Sequence, residues 1–196
     1  MRKLALPLAL IVLLAGCFST PNKKYFQIVA MGKDALPHPK IGRVLYIEPV
    51  RVDALYDDFR VIYRVSPYEL KYYSSVFWAK KPDGLVREAM RDYFVRKEGF
   101  ARVSLDVLEA EPALVLRSTI RIVEEIDNPN VWFGRLAMDL EFLDFKSGAI
   151  LAGHTFDKRL PLRARRSEFL PEVISEILAQ ELDVAVQKLA DALAAK

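Results

Sequence analysis

Few residues of this chain are of types that do chemistry. It has two histidines, His38 and His154, a single cysteine, Cys17, and adjacent acids at Asp57-Asp58 and Glu124-Glu125. Acid–base catalysis needs carboxylates converging on one bond, whereas neighbours on a strand point to opposite faces. Both pairs therefore read as solvated charges. His154 falls in AGHTF, on an expected strand. To act as a base it needs a Ser or Thr nucleophile and an orienting acid brought to it in space, and no spacing signals either. His38, in a Pro-rich loop, reads as a surface residue. Two histidines and one cysteine give no metal-ligand spacing, and the scattered glycines form no phosphate loop. These residues imply no cofactor, no metal and no enzyme.

Cys17 has a different use. Arg2 and Lys3 precede an apolar run from Leu4 to Leu14, interrupted only by Pro7. Eleven residues are too few for the about 20 that span a bilayer as a helix, but they suit the core of a secretory signal. Leu14-Ala15-Gly16-Cys17 has the pattern of a bacterial lipobox. Residues 1–16 are thus expected to be a signal peptide, and Cys17 a lipidated N-terminus carrying about three acyl chains, enough for stable anchoring. Phe18 at the next position leans towards the outer membrane, because Asp there often marks inner-membrane retention. Residues 17–24 read as a tether reaching roughly 23 Å at most, and residues 25–196 as one periplasmic domain. Without a second cysteine the exported chain forms no internal disulfide. Removing Arg2 and Lys3 leaves 27 basic against 26 acidic residues, so there is no clustered basic face for nucleic acid.

Two further stretches can hold a partner. Arg159 to Arg166 (RLPLRARR) is the densest charge cluster. Arg163, Arg165 and Arg166 can meet headgroups or an acidic partner, although the plainer reading is a solvated linker. Val61 to Pro82 (VIYRVSPYELKYYSSVFWAKKP) carries Tyr63, Tyr68, Tyr72, Tyr73, Phe77 and Trp78. Part of this aromatic content belongs to a core, and exposed rings can contact a partner or lipid.

Alternation predicts strands at 25–31, 42–52 (with Pro49 as an edge or bulge), 61–65, 69–78, 100–107, 113–127, 131–145 and 149–162. Ser66-Pro67 turns the third into the fourth, and Asp127 to Asn130 is a turn. Leu114, Leu116, Ile120 and Ile122 are expected on one face, with Arg117 and Arg121 opposite, ready to pair with Asp139 and Glu141 across the hairpin. Asp83 is expected to cap a helix ending at Gly99, and Ser167 one reaching Ala194; their apolar stripes read as core faces. The expected fold is α+β: a two-layer α/β sandwich, a mainly antiparallel sheet covered by two long helices.

The lipobox, Tyr25-Phe26, Pro49-Val50, Val61-Ile62-Tyr63-Arg64, Leu70, Tyr72-Tyr73 and Trp78-Ala79, followed by Pro82 and an amphipathic helix, resemble the ABC-type transport auxiliary lipoproteins, the PqiC-like family. Ser66-Pro67-Tyr68 departs from that family's Gly-rich turn. The resemblance implies a non-catalytic periplasmic lipoprotein at the outer membrane, able to oligomerise. Its implied partners are an MCE-type substrate-binding protein and the ABC permease and ATPase of a system moving lipid or other apolar substrate between membranes. The alternative is a lipoprotein that activates a cell-wall synthase, for which so short a tether is unsuited.

Overall fold

A computed structural model describes residues 22–30, 39–108 and 112–195. Cys17 and His38, with the signal and lipidation readings, lie outside them. The axis of the fold is β7 (Leu114–Asn128), paired antiparallel along its length with β8 (Val131–Asp144), which pairs in turn with β9 (Ile150–Pro161). The other edge of β7 takes three short strands in succession, all parallel to it. These are β2 (Val44–Ile47), β3 (Arg51–Val52) and β4 (Arg60–Ser66). Pro49 falls between β2 and β3, dividing the single strand expected over 42–52; a proline has no N–H for a ladder. Beyond them, β5 (Glu69–Trp78) pairs antiparallel with β4, β1 (Lys24–Phe26) parallel with β5, and β6 (Arg102–Ser104) parallel with β2.

The sheet is therefore mixed, a correction to the mainly antiparallel one expected. Long hairpins carry the antiparallel part, and the parallel pairings come from segments too far apart in sequence for alternation to reveal. Among the described residues there are two α-helices, α1 (Pro82–Lys97) and α2 (Leu170–Ala194). They do not make a clear second layer; a short 3-10 turn, Ala54–Tyr56, lies on the far face of the sheet, where Tyr56 reaches Glu124.

Both helices bury the predicted stripes, with Leu85, Val86, Ala89, Met90, Tyr93 and Phe94 from α1 and Ile174, Ile177, Leu178, Leu182 and Leu189 from α2. Their ends differ from expectation. Pro82 occupies the first turn of α1, where its missing N–H costs nothing, and Asp83 lies inside the helix rather than capping it. Glu98, not Gly99, takes the left-handed conformation at the C-terminus (φ 51°). Ser167 starts a 3-10 turn before α2 without a side-chain cap.

One irregularity in β7 determines which of its side chains face the helices. The register shifts between Ile120 and Ile122. Leu114, Leu116 and Ile120 face the helices, and past the bulge that face passes to Val123, Glu125 and Asp127. Ile122, expected in the core, is only partly buried, and Val123 is fully buried instead. Opposite Glu125 sits Gly134, where a Cβ would lie 2.6 Å from a methyl of Val173. Only glycine lets α2 approach this closely.

Candidate functional site

The expected β4–β5 hairpin forms, with Pro67 and Tyr68 as a two-residue tip between paired Ser66 and Glu69. Its aromatics divide. Tyr68 stands 99% exposed, whereas Trp78 is 1% exposed. Trp78 is thus a core residue, correcting its assignment as a possible contact: it shares the buried face at the end of β5 with Val76, two positions away. Tyr63 and Tyr73 are half-buried against each other, 4.5 Å between ring centres. Tyr72 is half-buried under the Arg60 guanidinium (4.2 Å), and its hydroxyl donates to Leu55 O (3.3 Å). Phe77 stacks on Tyr25.

The basic run leaves the end of β9 and is exposed, but it is organised. Arg163 pairs with Glu172 and lies over Phe169 (4.9 Å). Arg165 pairs with Asp127 (2.8 Å) and lies over Trp132 (4.5 Å). Arg166 reaches Glu168 (3.4 Å), which Lys24 also holds (2.6 Å). The run is pinned to β7, to the 3-10 turn that Ser167 starts and to α2, and is more than a loose linker.

Glu124 and Glu125 correct another expectation: neither is solvated. They point to opposite faces as adjacent strand residues must, yet they are 0% and 2% exposed. On the face away from the helices, Glu124 accepts from Tyr56 Oη (2.8 Å), Arg64 Nε (2.9 Å) and Arg135 Nη1 (3.2 Å). Arg135 also holds Asp157 (2.6 Å). Burial, and then the Glu124 carboxylate, push the Tyr56 hydroxyl up to about 12. Bonding to Glu124 holds the Arg64 guanidinium well above its usual range. The same face carries the expected cross-strand pairs, Arg121–Asp139 at 3.1 Å and Arg117–Glu141 at 3.8 Å.

On the helix side, Glu125 accepts one bond, from Tyr73 Oη (3.1 Å), and its Oε2 has no partner. Burial pushes its carboxyl up to about 7; the Tyr73 bond opposes this, the Asp127 charge adds to it and Arg165 opposes it. Burial, followed by the Glu125 charge, raises the Tyr73 hydroxyl above its usual range. Sequence reasoning missed both acids because their partners lie in other segments. For Glu124 the available signal was a lone arginine in each of two apolar stretches, Arg64 and Arg135; for Glu125 there was none.

His154 lies on β9 facing α2. Its Nε2 contacts Glu181 Oε2 (2.7 Å) and its Nδ1 contacts Lys188 Nζ (3.0 Å). An ammonium only donates, so Nδ1 accepts and Nε2–H donates to Glu181. With both ring nitrogens engaged, this arrangement leaves none for a hydroxyl nucleophile. Lys158 also reaches Glu181 (2.8 Å). Burial pushes the Glu181 carboxyl up, but bonds from Lys158 and His154 outweigh it and hold the group below its usual range. Among the described residues, no cluster of three or more His, Cys, Asp or Glu can hold a metal. No helix among them is long and apolar enough to cross a membrane.

The open spaces are shallow clefts. One, of about 360 Å³, is lined by Arg64, Val65, Pro67, Ile126, Arg135 and Arg159. Another, of about 310 Å³, lies between the segment after β1 and α1 and includes Ile28, Ala79, Leu85 and Ala89.

No protein-family model matches the sequence, and no curated protein is significantly similar to it. Solved structures do share its fold. Protein XCC0632 from Xanthomonas campestris, of family DUF330, superposes with a TM-score of 0.74 at 15% identity, over 88% of this chain and 99% of that one. A crystal structure of an uncharacterized protein gives 0.66 at 17% identity, over 85% and 98%. PelC from Paraburkholderia phytofirmans, a dodecamer, gives 0.48 at 10% identity, over 78% and 92%. At these identities the first two matches establish a shared fold.

Proposed function

We propose that the chain is a membrane-anchored, periplasm-facing lipoprotein, held at the outer membrane. In this reading it acts without catalysis, as an accessory that docks an MCE-type ABC transport system moving lipid or other apolar substrate. The observation that carries the reading is the distance between lipobox and fold. Only seven positions separate Cys17 from Lys24, where β1 begins. An acylated Cys17 therefore keeps the start of the domain within roughly 23 Å of its anchor, a position for docking at a membrane rather than for reaching across the periplasm. Support comes also from the family-like residues Val61 to Arg64 and Trp78-Ala79, which form the β4–β5 hairpin and its junction with α1. The fold shared with the DUF330 protein is compatible with this assignment.

The test has two arms. Metabolic labelling with palmitate should mark the protein and lose the mark in Cys17→Ser. Crosslinking in the native host followed by affinity capture should retrieve an MCE protein with its permease or ATPase. Capture of a cell-wall synthase and no MCE protein would reverse the assignment to the alternative. Retention of the palmitate label in Cys17→Ser would remove the anchor.

A further inference from the structure

Strand register brings three surface features to one level. Arg64 lies opposite Ile126, and one cleft is lined by Ser66, Pro67, Ile126 and Asn128, so the Pro67–Tyr68 tip lies beside the Pro129–Asn130 turn. Phe133 lies opposite Pro161, and Leu162 N donates to Trp132 O (2.9 Å), so the 159–166 run leaves the sheet there too. β1 runs parallel to β5, away from the tip. Followed backwards from Lys24 to Asn22, the chain therefore heads towards the same end, and Cys17 lies five positions further back.

Four arginines, Arg159, Arg163, Arg165 and Arg166, gather at this end beside Asp127, Glu168 and Glu172, and at the tip Glu69 pairs with Lys71. The chain from Cys17 onwards is nearly balanced, at 27 basic to 26 acidic residues. The side chains of Arg163, Arg165 and Arg166 are 68%, 56% and 64% exposed. They lie on the rings of Phe169 and Trp132, while Tyr68 projects at the tip and Val131 is exposed beside the turn. Tyr and Trp favour the headgroup level of a bilayer. Basic side chains are drawn to an anionic leaflet only within about one Debye length of it.

We infer that this end of the domain, with the Pro67–Tyr68 tip, the Pro129–Asn130 turn and the arginines of 159–166, lies against an anionic phospholipid surface. The inference rests on the lipid anchor proposed above and gives it an orientation. The strands β4, β7 and β9 then run towards the bilayer. The opposite end, with exposed Phe145 just beyond β8 and exposed Ile150 opening β9, points away from it and is left for a partner.

The experiment uses the full acylated protein in vesicles of phosphatidylcholine with phosphatidylglycerol. Acylation consumes Cys17, so a thiol introduced by Tyr68→Cys or Ile150→Cys can be labelled alone with an environment-sensitive fluorophore. Lipids brominated in their chains should quench the label at position 68 and spare that at 150. Arg163→Gln with Arg166→Gln should lose the quenching at 68, as should pure phosphatidylcholine. Quenching at 150 instead, or at neither site while the protein still floats with the vesicles, overturns the orientation and leaves the anchor standing. In the last case the basic end is free for an acidic protein. A protein that does not float and carries no acyl mass on Cys17 removes both.

Discussion

Glu124 and Glu125 share a peptide bond, a strand and near-complete burial, and little else. On the face of Glu124, two guanidinium groups and a tyrosine hydroxyl converge on one carboxylate, and Arg135 extends the network to Asp157. On the helix side, Glu125 has a single tyrosine and an oxygen without a partner. Burying a charge is costly unless it is paired and hydrogen-bonded. Glu124 meets that cost with donors, and Glu125 meets it by holding its proton to about pH 7. Burial alone thus does not decide what a buried acid does; the identity of its neighbours does.

The largest effect expected from breaking this contrast is at Glu124. Glu124→Ala strands Arg64 and Arg135 in a part-buried site without their shared acceptor. Removing one partner of a buried ionic cluster costs about 3–5 kcal/mol. Their residual exposure and the Asp157 contact place the expected loss near the lower figure. Urea denaturation at pH 7 measures it. A loss under about 1 kcal/mol, the ceiling for exposed pairs, would mean that the cluster is solvated in solution and that the contrast fails.

Glu125 should instead show itself through pH. Its folded carboxyl titrates at about 7, against an ordinary value of 4.5. A group raised in the folded state stabilises fully below its unfolded value and loses that contribution as pH rises through its folded one. The native chain should therefore lose stability between about pH 4.5 and 7, by about 3 kcal/mol at most, and then level off. Asp58, Asp144, Asp157, Glu168 and Glu181 are all held below their ordinary values, so their contributions are lost only under more acid conditions. Glu125→Gln should flatten the window above pH 4.5. Parallel pH profiles for the two proteins would show that Glu125 is not the group responsible.

How much of this was open to a reading of the residues depends on how far apart the participants lie. β5 and the apolar stripes of both helices are local patterns, and they appear where the periodicity places them. The Arg117–Glu141 and Arg121–Asp139 pairs were legible because a tight turn fixes the register of β7 and β8. The bulge at Arg121 carries no glycine or proline to announce it, yet it exchanges the faces of Glu124 and Glu125. Tyr56 and Arg64 reach Glu124 from segments 68 and 60 positions away, and no spacing rule connects them. Trp78 was misjudged for a related reason. A strand with aromatics on both faces does not say which face meets a helix.

The smallest and sharpest test compares the two tyrosines. Tyr56→Phe removes one donor from Glu124 and leaves two arginines in place. It should cost about 1 kcal/mol, with no added pH dependence between 4.5 and 7. Tyr73→Phe removes the only donor to Glu125. Because that hydroxyl opposes the upward displacement of the carboxyl, its loss should move the Glu125 midpoint above 7, as the carboxyl carbon shift would report in an NMR titration. The cost, again about 1 kcal/mol, should grow as pH rises, since a hydroxyl donor matters most to an ionised acceptor. Below pH 4.5, where Glu125 is protonated in both proteins, most of the difference should vanish. If both tyrosine variants instead showed the same pH-independent loss, the lone oxygen of Glu125 would have to be satisfied by water, and the two sides of β7 would be alike.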